Sequence, residues 1–226
     1  MPKIIIAINP FVFSDPRRKK YQEVAMEVLS LLPDDFQTIA VLYENETFPL
    51  FLPSNIQQYS VLKRNSAIEI GNTRPLPYVK EILDFASTFE CDIFGYLNSD
   101  ILVGADFVKE LRCPYDAFIL SRQEVAETTV EAFPEGNVKR IWGGDKHGGS
   151  DGFFFDQGWW MENRERFHND LIIGATNWDN YYRDMIMKYC DNYSKSRCLY
   201  HVIHTQSWRV DTPDAINNTK IWEKMG

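Results

Sequence analysis

The sequence predicts an α/β protein built on a central, mostly parallel sheet flanked by helices. In about the first hundred residues, short apolar runs alternate with segments of helical periodicity. Such alternation of strands and helices is typical of parallel sheets with right-handed crossovers. The chain of 226 residues is long enough to bury a sizeable core. No internal repeat or linker divides it, so we expect a single domain over residues 1–226.

The first strand and the first helix follow directly from the N-terminal residues. Ile4–Ile8 is uniformly apolar and predicts a buried strand that ends at Asn9. Asp15 can cap the helix that follows, and Pro16 suits its first position because that N–H has no helical partner. Apolar side chains then recur at three- and four-residue steps over residues 21–32, so one face of this helix is expected to be buried.

The next elements lead to a polar turn. Residues 38–43 predict a second strand, and residues 44–60, rich in Pro, Asn and Gln, predict a loop. A helix is expected to open at Arg74, with apolar residues at helical spacing after it. Residues 92–97 predict a strand that continues directly into Asn98-Ser99-Asp100.

The second half of the chain predicts shorter elements, several of them aromatic. In order, we expect a short helix after Gly104, a strand at 116–120, a glycine-rich loop at 134–152, a buried strand at 153–155, an amphipathic helix from Trp178 capped by Thr176 or Asn177, and a short strand at 199–203. The glycine-rich loop is open to two readings, a flap over a site or a plain connection.

Composition and charge limit the functional class. Hydrophobic residues make up 44% of the chain and charged residues 25%, which excludes a disordered protein. A net charge of −8 argues against binding nucleic acid through its phosphates. The N-terminal apolar run is too short for a signal peptide, and no segment has the length of a transmembrane helix. The four cysteines show no metal-binding spacing, so we expect free thiols and a cytoplasmic protein.

Asn98-Ser99-Asp100 is the sharpest local feature. Neither a dinucleotide-binding fingerprint nor a P-loop follows the first strand. In parallel sheets ligands bind beyond the carboxyl ends of the strands, where Asn9 and this turn are both expected. The carboxylate of Asp100 is an oxygen ligand of the kind that Mg²⁺ and Mn²⁺ prefer. A turn that simply closes the strand and caps the next helix is the other interpretation.

The turn and its context resemble the DXD-type motif of GT-A-fold glycosyltransferases. In the series over residues 94–101, Asn98 stands at the first acidic position, and Asp100 is the carboxylate that the match preserves. The resemblance continues in family order over residues 74–80, over Ser150–Asp156 and over residues 174–180. It implies a single GT-A-like, Rossmann-like domain with a nucleotide-binding half at 1–103 and an acceptor-binding half at 104–226.

The resemblance also implies an activity. The protein would be a hexosyltransferase-like enzyme that transfers a sugar from a nucleoside-diphosphate sugar, UDP-sugar favoured, to a hydroxyl of a glycan or lipid-linked acceptor. Mn²⁺ or Mg²⁺ would neutralise the leaving diphosphate. The implied residues are Asp100 and His204 for the metal, Asn9, Phe11, Arg74, Asn98 and Ser99 for the nucleotide, and Asp179, with Asp151 as second candidate, for the general base.

Each of these assignments has a simpler structural alternative. Asp179 is also an ordinary charge in the first turn of a helix, and Arg74 is also a candidate for a surface salt bridge. Phe11 would stack on the base or only pack. His201 and His204 face opposite sides of an extended strand, so one of them at most approaches the metal. We expect this to be His204, at the strand end, and His201 to act mainly on stability.

Two other functions remain open from the sequence. A sugar nucleotidyltransferase can use a similar sheet, but the chain lacks a glycine-rich loop with Arg and Lys after the first strand. A non-catalytic module that binds a nucleotide-sugar or a carbohydrate is the third hypothesis. The amide of Asn98, in place of an acid, favours it.

Overall fold

The computed structural model describes residues 1–46, 52–125, 149–202 and 210–225. In this part of the chain, an eight-stranded mixed sheet carries helices on both faces, which confirms the predicted fold class. The strands are β1 (Ile4–Ile8), β2 (Phe36–Tyr43), β3 (Gln57–Leu62), β4 (Ile93–Leu97), β5 (Ile101–Val103), β6 (Ala117–Val125), β7 (Ser150–Asp156) and β8 (Tyr193–Val202). The helices are α1 (Pro16–Ser30), α2 (Ser66–Glu69), α3 (Val79–Ala86), α4 (Ala105–Leu111), α5 (Gln157–Asn163), α6 (Trp178–Tyr189) and α7 (Pro213–Glu223).

The sheet order is β3-β2-β1-β4-β7-β6-β8-β5. The pairs β3–β2, β2–β1, β1–β4 and β6–β8 are parallel, whereas β4–β7, β7–β6 and β8–β5 are antiparallel. Because β7 runs against both of its neighbours, its first residues lie at the edge where β1, β4, β6 and β8 end. Leu97, the last residue of β4, is paired with Gly152 near the start of β7.

The connection between β4 and β5 shows that the sheet curls. Only residues 98–100 separate the two strands in sequence, yet β7, β6 and β8 lie between them in the sheet order. A connection this short cannot cross three strands of a flat sheet, so β5 must return towards the end of β4. In β5, Ile101 pairs with His201 of β8, which brings the end of β8 beside the turn after β4.

The core has two layers, one on each face of the sheet. In β1, the side chains of Ile4, Ile6 and Ile8 pack with α1, α4 and β5, whereas Ile5 and Ala7 pack with α3, α5 and α6. A strand that is buried on both faces has no polar alternation, which explains its continuous apolar sequence.

Several element boundaries differ from those predicted. The predicted loop 44–60 contains the start of β3, an edge strand whose first residues are exposed and polar. Helix α3 begins at Val79 rather than at Arg74, because the two prolines at 75 and 77 disfavour helical backbone before them. Residues 150–152 belong to β7 rather than to a loop, and residues 134–148 of the predicted loop lie outside the described residues.

Three helices were not predicted from periodicity, namely α2 in the first half of the chain and α5 and α7 in the second. Strands β6 and β8 are longer than expected. Asn177 is the N-cap residue of α6, as one of the two predicted candidates. Its backbone is left-handed (φ 69°), and its side chain donates to Thr219 Oγ1 of α7 (2.9 Å) instead of capping the helix. All four cysteines are free, and among the described helices none combines the length and apolarity that crossing a membrane requires.

Gly95 in β4 provides a test of the β4–β7 pairing. A Cβ at this position would lie 2.2 Å from the carbonyl oxygen of Phe153 and 2.5 Å from the ring of Phe154. We expect Gly95→Ala to lower the free energy of unfolding by about 3 kcal/mol, since backbone and a buried ring must both shift. Urea denaturation measures the loss. Gly104→Ala is the control because its Cβ meets only the Tyr200 ring, at 3.5 Å, and a loss as large as that of Gly95→Ala would contradict the prediction.

Candidate functional site

A cleft of about 150 Å³ lies at the edge of the sheet where β1, β4, β6 and β8 end. Among the residues that line it are seven that the sequence singled out: Asn9, Phe11, Arg74, Asn98, Ser99, Asp100 and Asp151. A second cavity of about 520 Å³ adjoins it and is lined by Asp179 and the start of α6. The two cavities share Asn98, Arg122, Asp151 and Gly174. The remaining predicted residue, His204, lies outside the described residues.

Asp151 lies at the boundary between the two cavities and lines both of them. Its carboxylate accepts hydrogen bonds from Asn98 Nδ2 (2.8 Å) and from one guanidinium nitrogen of Arg122 (2.9 and 3.2 Å). The backbone N–H of Asn98 also donates to the carbonyl oxygen of Asp151 (3.0 Å). The Asp151 side chain is only 6% exposed. Its carboxylate is therefore part of a buried ion pair that joins β4, β6 and β7.

Asp179, in the first turn of α6, has a different environment. Burial raises the pKa of its carboxyl group, and the nearby charge of Asp151 raises it further. Hydrogen bonds from backbone N–H groups, including that of Ser150 (3.4 Å to Oδ2), act in the opposite direction without cancelling the rise. The two aspartates thus differ in kind, because Asp151 is ion-paired, whereas Asp179 is a half-buried carboxylate with a raised pKa beside a cavity.

Asp100 and His201 lie together on the wall of the cleft. Asp100 Oδ2 is 3.8 Å from His201 Nε2, and the two side chains are 19% and 10% exposed. The sequence predicts a role in stability for His201 and a position near the metal for His204. The structure places His201 in the cleft because the curl of the sheet carries the end of β8 to the turn after β4. His201 is therefore a site residue that strand alternation alone did not identify.

A buried glutamine connects the loop after β1 to the turn after β4. Gln22 of α1 is 1% exposed. With its amide oriented to satisfy both atoms, the nitrogen donates to the Phe11 carbonyl (2.9 Å), and the oxygen accepts from Ser99 Oγ (2.9 Å) and Phe11 N (3.3 Å). Asn9 is held separately, since its Nδ2 donates to the carbonyl of Val41 in β2 (2.7 Å). A polar residue on the apolar face of α1 was the signal for Gln22 in the sequence.

The cleft also contains arginines, and only Arg74 among them was predicted from the sequence. Arg74 is half-exposed and lies 4.0 Å from a carboxylate oxygen of the buried Asp214 in α7. Arg18 of α1 and Arg122 of β6 line the same cleft. Arg122 was missed because β6 extends beyond the predicted strand end at residue 120.

Comparisons with known proteins support the fold of the chain. No protein-family model matches the chain, and no curated protein is significantly similar to it in sequence. Its structure is similar to the crystal structure of residues 1–349 of S. aureus TarS, a glycosyltransferase, with a TM-score of 0.54 and 12% sequence identity. The chain therefore shares the fold of that structure. The match covers 88% of this chain and 60% of the TarS chain, so the chain spans less than two thirds of that structure.

The Gln22 bridge can be tested without knowledge of a substrate. We expect Gln22→Leu to lower the free energy of unfolding by about 2 kcal/mol, because it leaves the buried Ser99 hydroxyl without the amide that bonds to it. Urea denaturation is the measurement. Glu27→Leu, at an exposed position of the same helix, is the control and should change stability by less than about 0.5 kcal/mol. Equal stabilities of the two variants would contradict the prediction.

Proposed function

We propose that the protein transfers a sugar from a nucleoside-diphosphate sugar to a hydroxyl group of a glycan or lipid-linked acceptor, as in polysaccharide or glycan synthesis. The observation that carries this proposal is the position of Asp179. This half-buried carboxylate with a raised pKa lines a cavity that adjoins the cleft at the strand ends. A base beside a second, connected cavity suits a reaction between two substrates.

The cleft would receive the donor. Asn9 and Phe11 follow β1 and would contact the nucleoside, and Phe11 has 41% of its surface exposed for stacking. The diphosphate would then lie towards Asp100, with the sugar at the shared boundary formed by Asn98 and Asp151. The acceptor would enter the larger cavity beside α6. We propose UDP as the nucleotide of the donor.

The chemical step assigns different roles to the two aspartates. Asp179 would accept the proton of the acceptor hydroxyl while its oxygen attacks the anomeric carbon of the sugar. The bond from that carbon to the diphosphate breaks, and the nucleoside diphosphate leaves with the electron pair, so the anomeric configuration inverts. Asp151 is less suited to be the base because Asn98 and Arg122 already donate to its carboxylate. It would instead position Arg122 and orient the sugar.

A divalent metal fits one part of the cleft. Among the described residues, no three or more His, Cys, Asp or Glu side chains form a ready-made metal site. Asp100 and His201 nevertheless offer a carboxylate and an imidazole 3.8 Å apart. Mg²⁺ and related ions need few protein ligands when phosphate oxygens and waters complete the shell. We therefore propose that these two residues hold Mn²⁺ or Mg²⁺, which when bound supplies charge neutralisation for the leaving diphosphate.

The non-catalytic alternative retains one supporting observation. Asn98, at the first acidic position of the motif, donates its amide to Asp151 and offers no carboxylate. A panel of nucleotide-sugars decides between the two functions: thermal shifts with and without Mn²⁺ identify the donor, and release of the nucleoside diphosphate measures hydrolysis or transfer. Stabilisation without turnover, with a range of glycan acceptors, would favour a binding module. Release of pyrophosphate from a nucleoside triphosphate and a sugar phosphate would indicate a nucleotidyltransferase.

Asp179→Asn tests the general base. We expect it to retain donor binding and to lower kcat by about a hundredfold or more, the range for loss of a general base. Its melting temperature should not fall, because the substitution removes a charge whose partial desolvation is unfavourable. In the wild type, kcat/KM should fall as the pH drops through the raised pKa of Asp179. Transfer at a near-normal rate by Asp179→Asn would exclude this residue as the base.

Asp100 and His201 test the metal site. We expect Asp100→Ala and His201→Ala each to remove the gain in UDP affinity that Mn²⁺ provides, measured by calorimetry with Mn²⁺ and with EDTA. The loss for His201→Ala should be larger with Mn²⁺ than with Mg²⁺, since Mg²⁺ prefers oxygen ligands. Asp191→Ala, at an exposed position, is the matched control. An unchanged gain from Mn²⁺ in both folded variants would place the metal elsewhere.

A further inference from the structure

Tyr96 is a buried tyrosine on the wall of the cleft. It lies near the end of β4, just before the turn that contains Asn98, and it is only 2% exposed. It nevertheless lines the cleft. Among the residues that the structure describes, none forms a hydrogen bond with its hydroxyl group. Since a buried phenolic O–H usually has a partner, the hydroxyl of Tyr96 is a candidate contact for a ligand in the cleft.

The ring of Tyr96 packs on the side of the sheet that α6 covers. Its side chain belongs to the core layer of α3, α5 and α6, whereas that of the next residue, Leu97, belongs to the other layer. The Tyr96 ring meets the ring of Trp178 edge to face, with centroids 5.8 Å apart and an interplanar angle of 80°. Trp178 begins α6 and lines the second cavity together with Asp179. Tyr96 therefore links the wall of the cleft to that of the second cavity.

The Tyr96 hydroxyl lies near the two carboxylates on the cleft wall. Burial raises the pKa of Tyr96 well above its usual value, and the charges of Asp100 and Asp151 raise it further. The phenol therefore keeps its proton and can donate a hydrogen bond. A ligand group at this place would meet one neutral donor beside two carboxylates.

We propose that the Tyr96 hydroxyl donates a hydrogen bond to the sugar of the donor substrate and helps to determine which sugar the cleft accepts. A sugar hydroxyl suits this place because it can accept from Tyr96 and donate to the carboxylate of Asp151. A phosphate oxygen could only accept, and its charge would be repelled by the carboxylates. The choice of a nucleotide-linked sugar as the ligand rests on the proposed function.

This contact would act on specificity as well as on affinity. A site that hydrogen-bonds a substrate hydroxyl discriminates against an analogue that lacks it, since the buried partner is then left unpaired. Tyr96 is already unpaired in the protein without ligand, so the hydrogen bond forms only when the sugar binds. The Trp178 ring limits the positions that the phenol can adopt.

Tyr96→Phe is the test, because it removes the hydroxyl and keeps the ring. We expect its melting temperature to stay the same or to rise, since the hydroxyl has no partner to lose. Calorimetry in Mn²⁺ then compares UDP with UDP-glucose, UDP-galactose and UDP-N-acetylglucosamine. The affinity for UDP should change by less than about twofold, whereas that for the tightest-binding UDP-sugar should fall by about tenfold.

Tyr182→Phe is the matched control. The hydroxyl of Tyr182 is also buried without a partner, and its ring also contacts that of Trp178, with centroids 6.5 Å apart. Tyr182 is not among the described residues that line either cavity, so its variant should bind UDP and the UDP-sugar as the wild type does. Monodeoxy forms of the sugar identify the contact: one of them should bind the wild type more weakly than the parent does, and should show no such loss with Tyr96→Phe.

The outcomes separate this assignment from the proposed function. Unchanged affinity of Tyr96→Phe for a UDP-sugar, or equal losses in Tyr96→Phe and Tyr182→Phe, would overturn the assignment even if the protein transfers sugar. An equal loss of affinity for UDP would also overturn it, because UDP carries no sugar. Binding of a UDP-sugar that depends on Tyr96, without turnover, would support the assignment and count against the transferase. Absence of binding to every UDP-sugar would overturn both.

Discussion

The antiparallel insertion of β7 beside β4 is the constraint on which the site depends. A sheet of parallel strands alone would bring only strand ends to the ligand-binding edge. Because β7 runs in the opposite direction, its first residues meet the last residues of β4, and Asp151 comes within hydrogen-bond distance of Asn98. Gly95 allows the two strands to approach, since any side chain there would overlap β7. The boundary between the two cavities is a direct result of this pairing.

The ion pair between Asp151 and Arg122 distinguishes two carboxylates that the sequence offered as the first candidate (Asp179) and the second candidate (Asp151) for the general base. Asp151 is buried and Asp179 is half-buried nearby, and two like charges with little access to water cannot both be ionised at low cost. Arg122 and Asn98 stabilise the charge on Asp151. Desolvation is the main cause of the raised pKa of Asp179, and the charge of Asp151 raises it further. Environments that push the pKa values of neighbouring acids apart are the usual way in which one becomes a base and the other an orienting group.

The cleft combines a shared fold with local departures from the motif that it resembles. Asn98 replaces the first acid of that motif and serves to bind Asp151. Three arginines and two aspartates are among the described residues that line the cleft. Arg122 pairs with Asp151, and Asp100 lies beside His201. Guanidiniums and a divalent ion neutralise phosphate by the same electrostatic principle.

The sequence by itself determined the elements whose signals are local. The apolar run of β1, the Asp15 cap of α1, the polar turn after β4 and the start of α6 all follow from neighbouring residues, and with them most of the candidate site. The tertiary structure alone decided the roles of Gln22, Arg122 and His201. Gln22 bonds to Ser99, 77 residues away, Arg122 pairs with Asp151 of β7, and His201 lies beside Asp100 in the turn after β4. The proximity of each pair depends on strand order and on the curl of the sheet. Hydrophobic periodicity reports which face of an element is buried, but it contains no information about which strand will be its neighbour.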